Sequence, residues 1–228
     1  MLTDTTGKAP VCKGCGKCCR NGGPALHTKD AFLFAEGLLQ PRDLVTIRAG
    51  ELVRDTDKER LTALPQELVK IAPSVDARPG DWACRFLTSR NTCSIHGKHP
   101  AECRALYCEA PEALLLLKDE PRLTREAICE LVKAPAWWKE LIEAHEEKTS
   151  YAVLTALAER LDADADARNE FAGIVEYDRV FREVAVKKNA APADALDFLF
   201  GRPLLRTVAM YGLDARDDGD KIRLVKTV

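Results

Sequence analysis

Apolar residues recur at helical spacing through the second half of the chain, from Pro111 onward. A repeat of three or four residues places such side chains on one face of a helix. The pattern predicts helices over residues 124–134, from Pro135 past His145, over 151–161, across a long segment holding Phe171 and Val184, and over 193–211 with a break near Gly201. Residues 222–228 are expected to form a terminal edge strand.

The first half shows shorter and more mixed patterns. Apolar residues at helical spacing predict a helix over 29–39, and Pro41 is expected to open a second short helix that ends at 47. Alternation predicts a hairpin over 51–71 and a second hairpin whose strands are 82–87 and 92–96. Residues 101–108 are expected to form one or two helical turns.

These elements predict an α+β fold that is mostly helical. The cysteines are concentrated before residue 110, whereas helical periodicity dominates after it. We therefore expect a small cysteine-rich module with short β-hairpins over residues 1–110. A helical region over 111–228 is expected to pack on this module, so that both form one compact unit.

Composition and charge narrow the class of protein. The chain has 228 residues, 46% hydrophobic and 31% charged, with a net charge of −2. These values are typical of globular proteins and give no electrostatic reason to expect nucleic acid or a membrane surface as partner. Residues 1–11 are polar and lack a hydrophobic signal core, so a cytoplasmic location is expected. Disulfides are disfavoured there, and nine cysteines could not all pair in any case.

A dense group of thiols lies near the start of the chain. Cys12, Cys15, Cys18 and Cys19 fall within eight residues, separated by glycine and lysine. Cys-x-x-Cys turns direct two sulfurs toward one point, which is typical of thiolate metal sites. Nearby Lys13, Lys17 and Arg20 would favour thiolates. Because side chains of adjacent residues usually diverge, Cys18 and Cys19 are expected to serve different ions or to bridge two.

A second group of four thiols follows within twenty-five residues, at Cys84, Cys93, Cys103 and Cys108. Arg85, Lys98 and Arg104 repeat the cationic surroundings of the first group. Eight thiols in two groups allow two four-thiolate zinc sites, an iron–sulfur cluster with a zinc, or a polynuclear site with bridging thiolates. Zinc and iron both accept thiolate ligands, so the sequence leaves the metal open.

These motifs resemble the CxxCxxCC (YkgJ-like) cysteine-cluster family. The resemblance covers residues 12–109, through the first cysteine group, Cys-Arg-Phe-Leu from Cys84, Cys-Ser-Ile-His from Cys93 and Pro-Ala-Glu-Cys-Arg from Pro100. It implies zinc or iron chelation by seven cysteines, with Cys108 as the eighth ligand. His96 replaces the usual Tyr and His99 replaces an Arg, so either histidine could be an added ligand.

Three functions remain open. The sites could hold the fold together in a binding or scaffold protein, or the chain could take up and release zinc or iron. The third alternative is a metal-dependent enzyme acting on a protein or peptide, since flagellin lysine N-methylase carries a similar domain.

Several other residues receive structural interpretations. Cys129 is expected in a helical core, His145 as a hydrogen-bonded structural histidine and His27 on the surface. The acidic run 162–166 lacks the glycine and the glutamate of a calcium loop, so it is expected to cap a helix instead.

Overall fold

The computed structural model describes residue 12 and residues 14–55, 60–74, 81–106, 112–218 and 222–227. Its first helices are short: α1 (Lys17–Arg20), α2 (Phe32–Ala35), α3 (Ala101–Ala105), α4 (Glu112–Leu115) and α5 (Arg125–Leu131). The later helices include the longest: α6 (Trp137–Lys148), α7 (Tyr151–Ala158), α8 (Ala165–Lys187), α9 (Leu196–Phe200) and α10 (Leu204–Thr207). The strands are β1 (Leu44–Ile47), β2 (Leu52–Asp55), β3 (Arg60–Ala63), β4 (Leu68–Ile71), β5 (Leu213–Asp217) and β6 (Ile222–Lys226).

The chain divides into two compact units, of which the first comprises residues 1–44 and 68–133. Within this unit β4 is held to an extended segment by the hydrogen bond from Leu26 N to Val69 O, 3.0 Å long. The segment around Leu26 is hydrogen-bonded on its other side to the segment around Leu123, because Leu123 N donates to Leu26 O at 3.0 Å. Fully buried aliphatic side chains from these extended segments, from α2 and from α5 form its core: Leu26, Leu33, Val69, Ile71 and Ile128.

The second unit comprises residues 45–67 and 134–228. Its core joins one face of α7 and one face of α8 to α10 and to the β5–β6 hairpin, with Leu154, Phe171 and Val175 fully buried. Both hairpins of this unit are antiparallel, β2 with β3 and β5 with β6. The expected module over residues 1–110, with a helical region over 111–228 packed on it, stays a prediction.

The long helices occur where periodicity predicted them, but two predictions in the first half are wrong. Residues 41–47 do not form a helix: a 3-10 turn over Pro41–Asp43 leads directly into β1. Val45, Thr46 and Ile47 are β-branched, which favours the extended backbone over the helix that Pro41 seemed to open. The helix expected over 29–39 is reduced to a 3-10 turn, Thr28–Asp30, and the single turn of α2.

The hairpin expected over 82–96 is confirmed at its turn, where Leu87 pairs antiparallel with Cys93, but its two arms do not form regular strands. The segment forms isolated bridges, Pro73 with Cys84 and Leu87 with Cys93, joined by tight turns. The hairpin over 51–71 is confirmed for β2 and β3, while β4 forms a separate strand. In the described part of the chain, no helix combines the length and apolar character needed to cross a membrane.

Buried polar side chains form a connected cluster in the second unit. His145 Nε2 lies 2.7 Å from Asp178 Oδ1, and Arg182 Nε donates to the same oxygen at 2.9 Å. His145 is fully buried, so it is a hydrogen-bonded structural histidine, as predicted. Asp164 accepts hydrogen bonds from Asp166 N and Ala167 N, which confirms that the acidic run caps a helix, here α8.

Candidate metal site

The first cysteine group lies on a loop that closes into a single helical turn. Gly14 and Gly16 adopt left-handed backbone conformations, with φ of 65° and 72°. Side chains other than glycine rarely take this conformation, so the glycines allow the loop to fold back before α1. A Cβ at Gly16 would lie 3.3 Å from Leu87 Cδ1, which shows how closely this loop packs on the second cysteine segment.

The backbone joins the two cysteine segments directly. Cys84 N donates to Cys19 O at 2.7 Å, so the end of the first group lies beside the start of the second. The bridge between Leu87 and Cys93 and the hydrogen bond from Ser94 N to Phe86 O, 2.9 Å long, fold the second segment back on itself. Cysteines that are far apart in sequence therefore lie in one region of the first unit.

Backbone amides lie close to three of the cysteine sulfurs. Gly14 N donates to Cys12 Sγ at 3.4 Å, and the amides of Phe86 and Ile95 lower the pKa of Cys84 and Cys93 against the larger effect of burial. Amide donors favour the thiolate form of cysteine, which is the form that binds metal.

The vicinal cysteines lie together rather than apart. The Sγ atoms of Cys18 and Cys19 are 3.9 Å apart, so the expected divergence of these side chains is wrong. Two sulfurs bound at about 2.3 Å to one tetrahedral zinc are about 3.8 Å apart. The pair can therefore serve the same ion, and the argument for a second ion from side-chain divergence no longer holds.

Seven of the eight predicted thiols line a single cavity of about 580 Å³. They are Cys12, Cys15, Cys18, Cys19, Cys84, Cys93 and Cys103. Cys108 lies outside the described residues, so its position stays a prediction. Cys129, on α5, is partly buried and does not line this cavity.

The thiols influence one another's ionisation. Burial raises the pKa of Cys18, Cys19, Cys84 and Cys93, and the repulsion of neighbouring thiolates adds to this rise. The pKa of Cys103 is raised furthest, by burial first and then by Cys84 and Cys19. A cation in the cavity would offset this mutual repulsion, so the donor set fits a metal that prefers thiolates.

The basic residues near the second group mostly have other partners. Arg85 Nε pairs with Asp43 at 2.9 Å, and Lys98 Nζ pairs with Glu36 at 2.6 Å. By contrast, Lys17 lines the cavity, and the charge of Lys70 lowers the pKa of Cys84 against the larger effect of burial. Lys70 lies on β4, fourteen residues before Cys84, so sequence proximity could not identify it.

His96 and His99 also line the cavity, with their rings stacked 4.9 Å apart. Gly97 N donates to His99 Nδ1 at 3.1 Å, which places the proton of the neutral ring on Nε2. Burial, followed by the charges of His96 and Arg104, lowers the pKa of His99. In this arrangement neither nitrogen of His99 offers a free lone pair, which leaves His96 as the better histidine ligand of the two.

Cys103 lies on α3, beside acidic and histidine residues that sequence reasoning did not connect with the site. Glu102 lines the cavity next to it, and Glu102 Oε1 lies 3.4 Å from His27 Nε2. His27 is fully buried, so its predicted surface position is wrong. Its neighbours in sequence, Leu26 and Thr28, bond to the backbone around Pro121 and Leu123, which draws His27 inside.

The cysteines surround the cavity without converging on one point. Within the described ranges, no three His, Cys, Asp or Glu side chains are already arranged to hold one ion. The donor chemistry nevertheless suits zinc or iron, because seven thiols line one cavity and both metals accept thiolate ligands.

Comparison with protein families matches residues 11–130 to the CxxCxxCC family, described as a "putative zinc- or iron-chelating domain". The matched region contains all of the cavity-lining thiols as well as α3, and it ends within α5. Neither a curated protein nor a solved structure matches the chain. The match covers more than half of the chain and supports binding of zinc or iron. The chain therefore belongs to the CxxCxxCC family of zinc- or iron-chelating domains.

Proposed function

We propose that the chain binds zinc or iron through two groups of cysteine thiolates that act together. The groups are Cys12, Cys15, Cys18 and Cys19, and Cys84, Cys93, Cys103 and Cys108. The observation that carries this proposal is that seven of these thiols line one cavity although they come from three separate segments. Bound zinc or iron would neutralise the thiolates and cross-link these segments.

The number of thiols that bind metal separates two of the possible arrangements. Closed four-thiolate sites would use all eight thiols and leave none free, whereas an iron–sulfur cluster would use four. Every cysteine that the structure describes in the two groups is a free thiol. Free thiols suit a reducing compartment, so we place the protein in the cytoplasm.

Two observations bear on the role of the bound metal, namely the exposure of two thiols and the volume of the cavity. Cys12 and Cys15 are exposed, which would let a ligand exchange with a competing thiol and supports uptake and release of the metal. The cavity volume of about 580 Å³ falls in the range of about 300–1,000 Å³ found for small-molecule pockets. That size supports metal-dependent modification of a protein or peptide as the second candidate function.

Elemental analysis and an absorption spectrum of anaerobically purified protein test the proposal. Zinc with no visible colour would indicate thiolate zinc sites, whereas iron with sulfide and a brown colour would indicate a cluster. Protein that is free of both metals, and that takes up neither when reconstituted, would contradict the proposal.

Cysteine variants connect the metal with the cavity. Cys15→Ser and Cys84→Ser should both lower the bound metal per chain, because each removes a thiol of the cavity. Cys129→Ser is the matched control and should leave the metal content unchanged. Equal metal loss in Cys129→Ser would contradict the assignment of the ligands to the cavity.

A further inference from the structure

The helix that carries Cys103 is too short to be stable alone. α3 contains only the five residues Ala101–Ala105. Isolated helices of fewer than about 12 residues are marginal in water, because the first turn fixes several residues for one hydrogen bond. The position of the Cys103 thiol therefore depends on contacts that α3 makes with the rest of its unit.

The start of α3 is bound by a carboxylate from another part of the chain. Ala101 N donates to Asp30 Oδ1 at 2.8 Å, and His27 N donates to Asp30 Oδ2 at 3.0 Å. Asp30 is fully buried, so both of its oxygens are used inside the protein. A single side chain thus joins the backbone of His27 to the first turn of α3.

The residues on both sides of Cys103 are fixed as well. Glu102 Oε2 accepts a hydrogen bond from Ala25 N at 2.7 Å, and Oε1 lies 3.4 Å from His27 Nε2. On the other side, Arg104 Nη1 donates to His99 O at 2.6 Å. Cys103 lies between these two anchored side chains and faces the cavity.

We propose that Asp30, His27 and Glu102 are positioning residues of the metal site, which hold the Cys103 thiol toward the bound ion. This inference rests on the proposed function, since it assumes that Cys103 binds the metal. Glu102 and Asp30 act through Cys103, because their oxygens hold Ala25, His27 and the first amide of α3 around it. Residues that orient metal ligands typically contribute about 10–100-fold in metal affinity.

Glu102→Ala tests the proposal in the full-length protein. Zinc affinity is measured by competition with a chromophoric chelator, and cobalt(II) replaces zinc for spectroscopy, because the cobalt–thiolate absorption reports on the number of bound sulfurs. Glu36→Ala is the matched control, because Glu36 pairs with Lys98 and does not line the cavity. Cys103→Ser provides the spectrum of a site that lacks this thiol.

We expect Glu102→Ala to lower zinc affinity about 10–100-fold and to shift the cobalt–thiolate absorption toward that of Cys103→Ser. Glu102→Gln, which keeps an oxygen to accept from Ala25 N, should recover part of the affinity; it also replaces Glu102→Ala if that variant does not fold. Affinity within twofold of wild type, or lower affinity with an unchanged cobalt spectrum, would overturn the positioning role. Failure of the wild-type protein to bind either metal would instead overturn the proposed function on which this inference rests.

Discussion

At the scale of single residues, Gly23 shows how tightly the first cysteine group is packed. A Cβ at this position would lie 2.2 Å from Ile71 O, which belongs to β4. Backbone atoms cannot move aside as the end of a long side chain can. Gly23 also lines the cavity, so its lack of a side chain brings the cysteine loop and β4 together.

Gly23→Ala should therefore destabilise the protein. Overpacking of this kind costs about 1–3 kcal/mol, and the displaced loop should also bind metal more weakly. Gly173→Ala is the control, since Gly173 is exposed within α8 and a Cβ there would contact nothing within 4 Å. That change should stabilise the protein by about 0.5–1 kcal/mol. Equal denaturation midpoints for the two variants would contradict this view of Gly23.

The buried pair of His145 and Asp178 predicts a dependence of stability on pH. Burial is the largest influence on His145 and lowers its pKa below the ordinary 6.5, although the hydrogen bond to Asp178 opposes this shift. Because the folded state binds the proton more weakly than the unfolded state, this histidine's contribution is complete above the unfolded pKa. It is lost progressively as the pH falls below 6.5 toward the folded pKa.

The free energy of unfolding should consequently fall between pH 7 and pH 5, with a contribution from His145 of at most about 1.4 kcal/mol per pH unit. His145→Gln should remove this part of the slope, whatever its effect at neutral pH. The measurement is urea denaturation at a series of pH values. An unchanged slope in the variant would show that protonation of His145 does not lower the protein's free energy of unfolding.

At the scale of elements, α8 begins with a clear capping residue. Asp164 Oδ1 accepts hydrogen bonds from Asp166 N at 2.9 Å and Ala167 N at 3.0 Å. The first amides of a helix have no partner within it, so a side-chain acceptor stabilises its start.

Asp164→Ala should lower the melting temperature by about 2–4 °C in calorimetry. Asp162→Ala is the matched control, because Asp162 makes only an exposed ion pair with Lys226 among the contacts of the described residues. Exposed ion pairs contribute little. A larger decrease in Asp162→Ala than in Asp164→Ala would contradict the capping role.

Elements with a long hydrophobic repeat were predictable from the sequence, whereas short ones depended on their surroundings. The faces of α7 and α8 meet in the core of the second unit, so local periodicity and tertiary packing agree. In 82–96 the alternating pattern was real, but the chain uses it for turns that present Cys84 and Cys93 instead of for strands.

The residues of the candidate site also divide into those that the sequence predicts and those that only the folded structure brings together. The cysteines were predictable because their spacing is itself the signal. His27 and Asp30 were not, since they approach Cys103 only after distant segments fold together. Glu102 is next to Cys103 in sequence, but its partners Ala25 and His27 are distant, so its role was not predictable either. Their sequence neighbourhoods contain no feature that distinguishes a buried carboxylate from an exposed one.

At the scale of the whole molecule, the predicted metal site lies within the first unit, while the core that joins α7, α8 and α10 lies in the second. Removing metal should therefore affect the two units unequally. Hydrogen exchange should accelerate in Gly14–Arg20 and Cys84–Cys103 after treatment with a chelator, because both segments lose their shared ion. The amides of α7 and α8 serve as the internal control and should exchange at unchanged rates. Uniform acceleration would contradict a site confined to the first unit.

X-ray absorption at the metal edge tests most directly whether both cysteine groups bind the same metal. The zinc-loaded protein should show sulfur neighbours at about 2.3 Å. Cys18→Ser and Cys84→Ser, one from each group, should each reduce the number of sulfurs around the metal, while Cys129→Ser should not. A shell of oxygen and nitrogen alone, or a sulfur count that neither Cys18→Ser nor Cys84→Ser changes, would contradict the proposal that the two groups act together.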